Sequence, residues 1–160
     1  MDSIIQTIKN LIHNETEEEG CFSMWFSSTT GVPVDVLELE RYPGFPDEMY
    51  ELWKCSDTTT LFQELYYGQW GLIIHDPKWC VMQTQFFNSA FPGNLDVDDY
   101  VIGEFLGDTD KLVMSGSPMS TQRILVATPL DPKSEWAIVG DNLKEFLNRF
   151  IASGGSKYWE

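Results

Sequence analysis

Between Tyr100 and Gly140 four runs of branched and apolar residues, YVIGEFLG, KLVMSG, RILVATPL and WAIVG, are divided by Gly, Pro, Asp and Ser. Runs this short, each bounded by turn chemistry, predict an antiparallel meander. DNLKEFLNRFIASGG follows, with Asp141 as a cap, Leu143, Phe146, Leu147, Phe150 and Ile151 in a helical stripe, and Gly154-Gly155 as a stop. Strands that pair with their chain neighbours and then meet a helix define the α+β class. A length of 160 residues fits one domain. The expectation is therefore a single α+β domain over residues 1–160, mainly an antiparallel sheet of about four to six strands packed with helices.

The first half is read element by element. Ile4, Ile5, Ile8, Leu11 and Ile12 recur at helical spacing behind Asp2 and Ser3, and Glu17, Glu18 and Glu19 place like charge at the negative end of that helix. CFSMWFSS, from Cys21 to Ser28, is either an edge strand or an irregular packed segment. VDVLELER predicts a short helix offering Val34, Leu37 and Val36 to a core, ended by the turn YPGFP. PDEMYELWKC predicts a second helix, with Pro46 where a missing amide costs nothing, acids in the first turn, and Met49, Leu52 and Trp53 on one side. SDTTT breaks it, and Leu61 to Tyr67 reads as extended. YGQWGLIIHDP predicts a buried strand closed by Asp76-Pro77, which can start a helix with Trp79, Met82 and Phe86 on one side, an extended piece from Trp79 to Phe87 being the alternative. FPGNLDVDD is the most linker-like segment.

Ten Lys and Arg stand against twenty-five Asp and Glu, a net charge of −15. That excess repels nucleic acid and anionic membrane surfaces, and it exceeds the magnitude of roughly two to eight that solubility asks of a small domain. A basic protein partner is the expectation. No apolar stretch approaches the roughly 20 residues of a membrane span, and the first residues lack the basic and apolar regions of a secretory signal. Cys21, Cys55 and Cys80, odd in number and widely spaced, read as buried thiols of a reducing compartment. These features point to the cytosol.

Signals for catalysis are sparse. There is no GxSxG elbow, GxxxxGK[ST] loop or GxGxxG turn. His75 reads as a half-buried turn histidine, and Cys80, five residues on, as a packed thiol rather than a nucleophile. Asp96-Val97-Asp98 with Asp99, and Asp108-Thr109-Asp110, have a spacing that hard cations use, but neither continues into a calcium loop and a solvated turn is the plainer reading. Trp70, Trp136 and Phe105 read as core. Trp25, Tyr66, Tyr67 and Trp159 lie in irregular stretches where an exposed ring serves recognition, although burial is the commoner fate.

Taken together, VLELERYPGFPDEMYELWKCSD, YGQWGLIIHDP, DYVIGEFLGDTDKLVMS, RILVATPLDPKSEWAIVGDNLKEFLNRFI and the terminal KYWE resemble the SUKH superfamily of α+β domains. That group includes bacterial immunity proteins and a fungal regulator of cell-wall assembly. The resemblance covers Val34 to Glu160; residues 1–30 are less distinctive. SDTTT departs from the Gly-rich step that many members show after the second helix. The resemblance implies a non-enzymatic protein, without a cofactor, that binds and neutralises a toxin, commonly a nuclease of a polymorphic toxin system, in the bacterial cytosol. An intracellular scaffold of the same fold and a metal-dependent hydrolase using the DxD carboxylates are the rival readings. A nuclease concentrates Lys and Arg to attract phosphate, so an acidic inhibitor can steer to that patch. Glu104, Asp108, Asp110, Asp96, Asp98 and Asp99 are the expected interface, clustered around one end of the sheet.

Overall fold

The backbone traces a meander in which every strand pairs antiparallel with its neighbour in the chain, in the order β1 to β7. The computed structural model describes residues 2–17, 26–116 and 121–160. The expectations for Glu18 to Trp25, including Cys21 and the carboxylates beyond Glu17, lie outside the described residues. Helix α1 (Asp2–Glu17) leads into β1 (Phe26–Thr30), the edge-strand alternative for CFSMWFSS. Then come α2 (Val36–Leu39), α3 (Asp47–Trp53), β2 (Thr59–Glu64), β3 (Leu72–Ile74), α4 (Pro77–Ala90), β4 (Asp99–Phe105), β5 (Lys111–Ser115), β6 (Arg123–Ala127), β7 (Ala137–Gly140) and α5 (Leu143–Ala152). The α+β architecture is as expected. The seven strands exceed the expected four to six, because β1 pairs with β2 and β2 with β3 beyond the four runs of the second half.

Strand β2 begins inside the segment expected to be a polar break. Thr59 and Thr60 are buried and pair with Ile74 and Ile73. Threonine is β-branched, and its hydroxyl does not prevent burial once it finds a partner. Within β2, Phe62 has φ +52°, a left-handed conformation rare for a ring-bearing residue. It breaks the alternation so that Leu61 and Phe62 both join one core. The amide of Phe62 is met by the Ser28 hydroxyl at 3.0 Å, from the irregular step in β1 between Ser27 and Thr29.

One sheet face carries Leu61, Leu72, Ile74, Ile102, Leu112, Met114, Ile124 and Val126 against α1, α3 and α5. Trp53 of α3 is fully buried there, its indole N–H donating to the His75 carbonyl at 2.8 Å. Burial of each such side chain is worth about 1.5–3 kcal/mol. Helix α5 presents Leu143, Phe146, Leu147 and Phe150 as expected, but its cap is Asn142, not Asp141: the Asn142 side chain accepts from the Glu145 amide at 2.8 Å. The Glu48 carboxylate of α3 accepts from the Leu143 amide at 2.9 Å, so two helix starts are tied together.

On the opposite face, Val101, Val113, Leu125 and Ala127 pack with Phe87 of α4 and with Trp136. Helix α4 starts as expected, with Asp76 accepting from the Trp79 amide and Pro77 in the first turn. Its inward stripe is Cys80, half-buried Thr84 and Phe87; of the expected stripe Trp79 packs partly against the core, but Met82 and Phe86 are exposed. The irregular step of β4 between Val101 and Gly103 decides this, because the Val101 amide needs an acceptor and finds the Thr84 hydroxyl at 2.9 Å. Trp70, expected in the core, is 41% exposed.

Candidate binding surfaces

The six expected interface carboxylates do not share one end of the sheet. Asp99 opens β4, whereas Asp108 and Asp110 lie in the turn beyond its far end. Six residue steps at about 3.3 Å put the two groups roughly 20 Å apart. The alternating direction of a meander makes this unavoidable, since the two ends of one strand belong to opposite ends of the sheet. Lys133 joins Asp96 to Asp99, whose side chain is only 1% exposed. Asp98 stays exposed at that end. Lys157, next to the chain's end, lies between Asp108 at 2.5 Å and Asp110 at 3.1 Å. Burial alone would lower the Lys157 pKa, but those two carboxylates outweigh it and hold it well above the usual lysine value. The space between the two carboxylates of this DxD pair is filled by an ammonium. Among the described residues, no group of three or more His, Cys, Asp or Glu side chains is placed to hold a metal ion.

Glu104 lies on the sheet face between these ends, in a cross-strand row with Ile73 and Lys111. Lys111 donates to one of its oxygens at 2.7 Å and His75 Nε2 lies 3.1 Å from the other. Burial alone would raise the Glu104 pKa; Lys111 and then His75 outweigh it, and the carboxyl titrates below its ordinary value. Burial lowers the pKa of His75, against Glu104 and Asp76, which raise it. The ring stacks on Trp79 at 3.7 Å between centroids. His75 therefore has the carboxylate partner that its sequence neighbourhood did not disclose. Cys80 is not its nucleophile: the thiol points at the His75 carbonyl, and burial pushes its pKa well up. Cys55, expected to be buried, is exposed.

The His75 pKa fixes a pH response. A folded pKa below that of the unfolded chain means that the unfolded state binds more protons as the pH falls through about 6.5. Stability is full above that pH and declines toward pH 5. Urea denaturation at pH 7.5 and pH 5 should show this loss in the wild type and a smaller one in His75→Gln, which keeps a donor for Glu104; equal losses would remove His75 as the source.

Among the described residues, α2 and α3 carry an acidic surplus that local pairing leaves over. From Asp35 to Asp57 seven carboxylates stand against Arg41 and Lys54, and Lys54 is held by Glu51 at 2.8 Å. Asp35 caps α2 by accepting from the Leu37 amide. Tyr50 fixes the turn between the helices: its hydroxyl donates to the Tyr42 carbonyl at 2.7 Å and accepts from the Phe45 amide. Of the residues expected to feed the core from this segment, Val34 packs partly, while Val36 and Leu37 are 58% and 73% exposed and Leu39 takes the buried place. A groove of about 500 Å³ runs between the helices, floored by Val36, Leu39, Pro43 and Tyr50 and rimmed by Glu40 and Asp47. The Glu51–Lys54 pair also lines it, so apolar area and an excess of carboxylates meet at this surface. No helix among the described residues is long and apolar enough to cross a membrane. No protein-family model and no curated protein matches the chain.

Proposed function

We propose that this chain is a non-enzymatic binding protein of the immunity type, SUKH-like, which neutralises a toxin by occupying its basic surface in the cytosol. The observation that carries the reading is the α2–α3 surface, where exposed Val32, Val36 and Leu37 lie among carboxylates that include Glu38 and Glu40. Among the described residues neither Glu38 nor Glu40 has an ion-pair partner. The lysine-bound carboxylates contribute less to this face, since each shares a cation within the fold. Long-range attraction brings a cationic partner to the acidic face, and apolar contact then supplies affinity.

The test is the partner that co-purifies from the native host. Its affinity should fall at least tenfold between 50 and 300 mM salt. Glu38→Lys with Glu40→Lys should weaken it a further roughly 30-fold, from about 1 kcal/mol per reversed charge, with the melting temperature unchanged. A salt-indifferent complex, or one untouched by the double reversal, overturns the reading. Protection of cells that express the partner would then distinguish an immunity protein from a scaffold.

A further inference from the structure

A second surface lies at the end of the sheet that the β2–β3 and β4–β5 turns share. The β2–β3 connection, Leu65 to Gly71, exposes Tyr66 at 64%, Tyr67 at 84% and Trp70 at 41%. A loose loop would lose any gain from such rings to ordering, but this one is already ordered. Glu64 turns its carboxylate onto the loop backbone: Oε1 accepts from the Tyr66 amide at 2.6 Å and Oε2 from the Tyr67 amide at 2.9 Å. The Glu64 amide donates to the Trp70 carbonyl at 3.0 Å, closing the loop. The carboxylate is spent on positioning the backbone, and the rings are left facing outward.

The charge around the rings selects what they meet. Trp70 shares a cavity of about 210 Å³ with Asp108, Lys157 and Glu160, and because the Lys157 ammonium is shared among three carboxylates, Asp108, Asp110 and Glu160, negative charge is left over beside the rings. Cations already sit over rings within the fold: the Lys157 ammonium lies 5.6 Å from the centre of the Phe105 ring in this cavity, and the Arg149 guanidinium approaches the Tyr158 ring more closely, at 4.5 Å. A planar guanidinium both stacks on Tyr and Trp and pairs with a carboxylate, which an ammonium does less well. We infer that the Leu65–Gly71 loop, with Asp108 and Glu160, is a recognition surface for arginine side chains on a protein partner.

This surface is separate from α2–α3, and its test does not depend on the toxin. Amide NMR shifts are followed while a short Arg-Gly-Gly repeat peptide, or its Lys-Gly-Gly counterpart, is titrated into the full chain. The arginine peptide should move the Gly68 and Gly107 amides and bind at least threefold tighter than the lysine peptide. Tyr67→Phe should bind as the wild type does, whereas Tyr67→Leu with Trp70→Leu should lose three- to tenfold. Glu38→Lys with Glu40→Lys should leave the loop shifts unchanged. Equal affinity for both peptides, shifts confined to α2 and α3, or full binding by the leucine variant would overturn the inference. So would preference of the loop for phosphatidylcholine vesicles over either peptide. A lost toxin complex with peptide binding intact would fault the proposed function alone.

Discussion

Replacing Lys133 by methionine should lower the folding free energy by about 3 kcal/mol, more than any surface charge change in this protein. An exposed ion pair is worth roughly 0–1 kcal/mol. Lys133 is different because of what it would leave behind. Asp99 is buried, and among the described residues its Oδ2 accepts, besides Lys133, only the Asp96 amide, at 2.7 Å. Without the ammonium, a carboxylate stays in the interior with one neutral donor, and such broken pairs cost about 3–5 kcal/mol. The lower end applies, because the Lys133 side chain is 25% exposed and Asp96 77%, so water reaches part of the site. The pKa of Lys133 points the same way: burial alone would lower it, but Asp96 and Asp99 raise it above the usual lysine value. A raised lysine stabilises the fold throughout the range below about 10.4 and loses that effect only as the pH climbs through its folded pKa. Urea denaturation measures the loss as a lower midpoint at unchanged slope. Lys133→Met combined with Asp99→Asn should recover more than 1 kcal/mol, because the stranded charge is gone. A single variant within 1 kcal/mol of wild type would show that Asp99 is solvated.

That pair also marks where reading the chain in one dimension stops. Lys133 meets Asp99 across 34 residues and Lys157 meets Asp108 across 49, and nothing in local spacing announces either contact. The acidic total was legible, but its distribution was not. It depended on which carboxylates the few lysines reach, and they reach the six expected ones except Asp98, while Glu38 and Glu40 have no ion pair among the described residues. The strands of the second half were legible because branched runs and turn residues both repeat there. Helix α5 was legible from its stripe, with the cap displaced by one residue to Asn142. Helix α4 misled because its buried face is built around Thr84, chosen for an amide in β4, while larger apolar side chains face outward. Trp70 misled for a related reason: it stands beside a true strand but belongs to the loop that Glu64 organises. Local pattern reports what a segment can form, and long-range hydrogen bonding decides which side is turned inward.

Gly107→Ala should cost about 3 kcal/mol and displace the aromatic loop. Gly107 has φ +87°, and a Cβ there would stand 2.1 Å from the Gln69 carbonyl oxygen, a backbone atom that no rotamer change can move aside. Two effects add: the left-handed conformation costs a residue with a Cβ about 1–2 kcal/mol, and forced overpacking costs about 1–3. Gly93 separates them. It has nearly the same conformation, φ +88°, with nothing within 4 Å of a built Cβ, so Gly93→Ala should lose only the conformational part. The difference between the two variants, about 2 kcal/mol in urea denaturation, is the cost of parting the β4–β5 turn from the β2–β3 loop. The consequence reaches the rings: Gln69 follows directly on the segment clasped by Glu64, so pushing its carbonyl away should weaken the hydrogen bonds at Tyr66 and Tyr67. Hydrogen exchange at those two amides should therefore quicken in Gly107→Ala and stay at the wild-type rate in Gly93→Ala. If both variants cost the same and exchange alike, the two turns are neighbours without being coupled, and the loop's order comes from Glu64 alone.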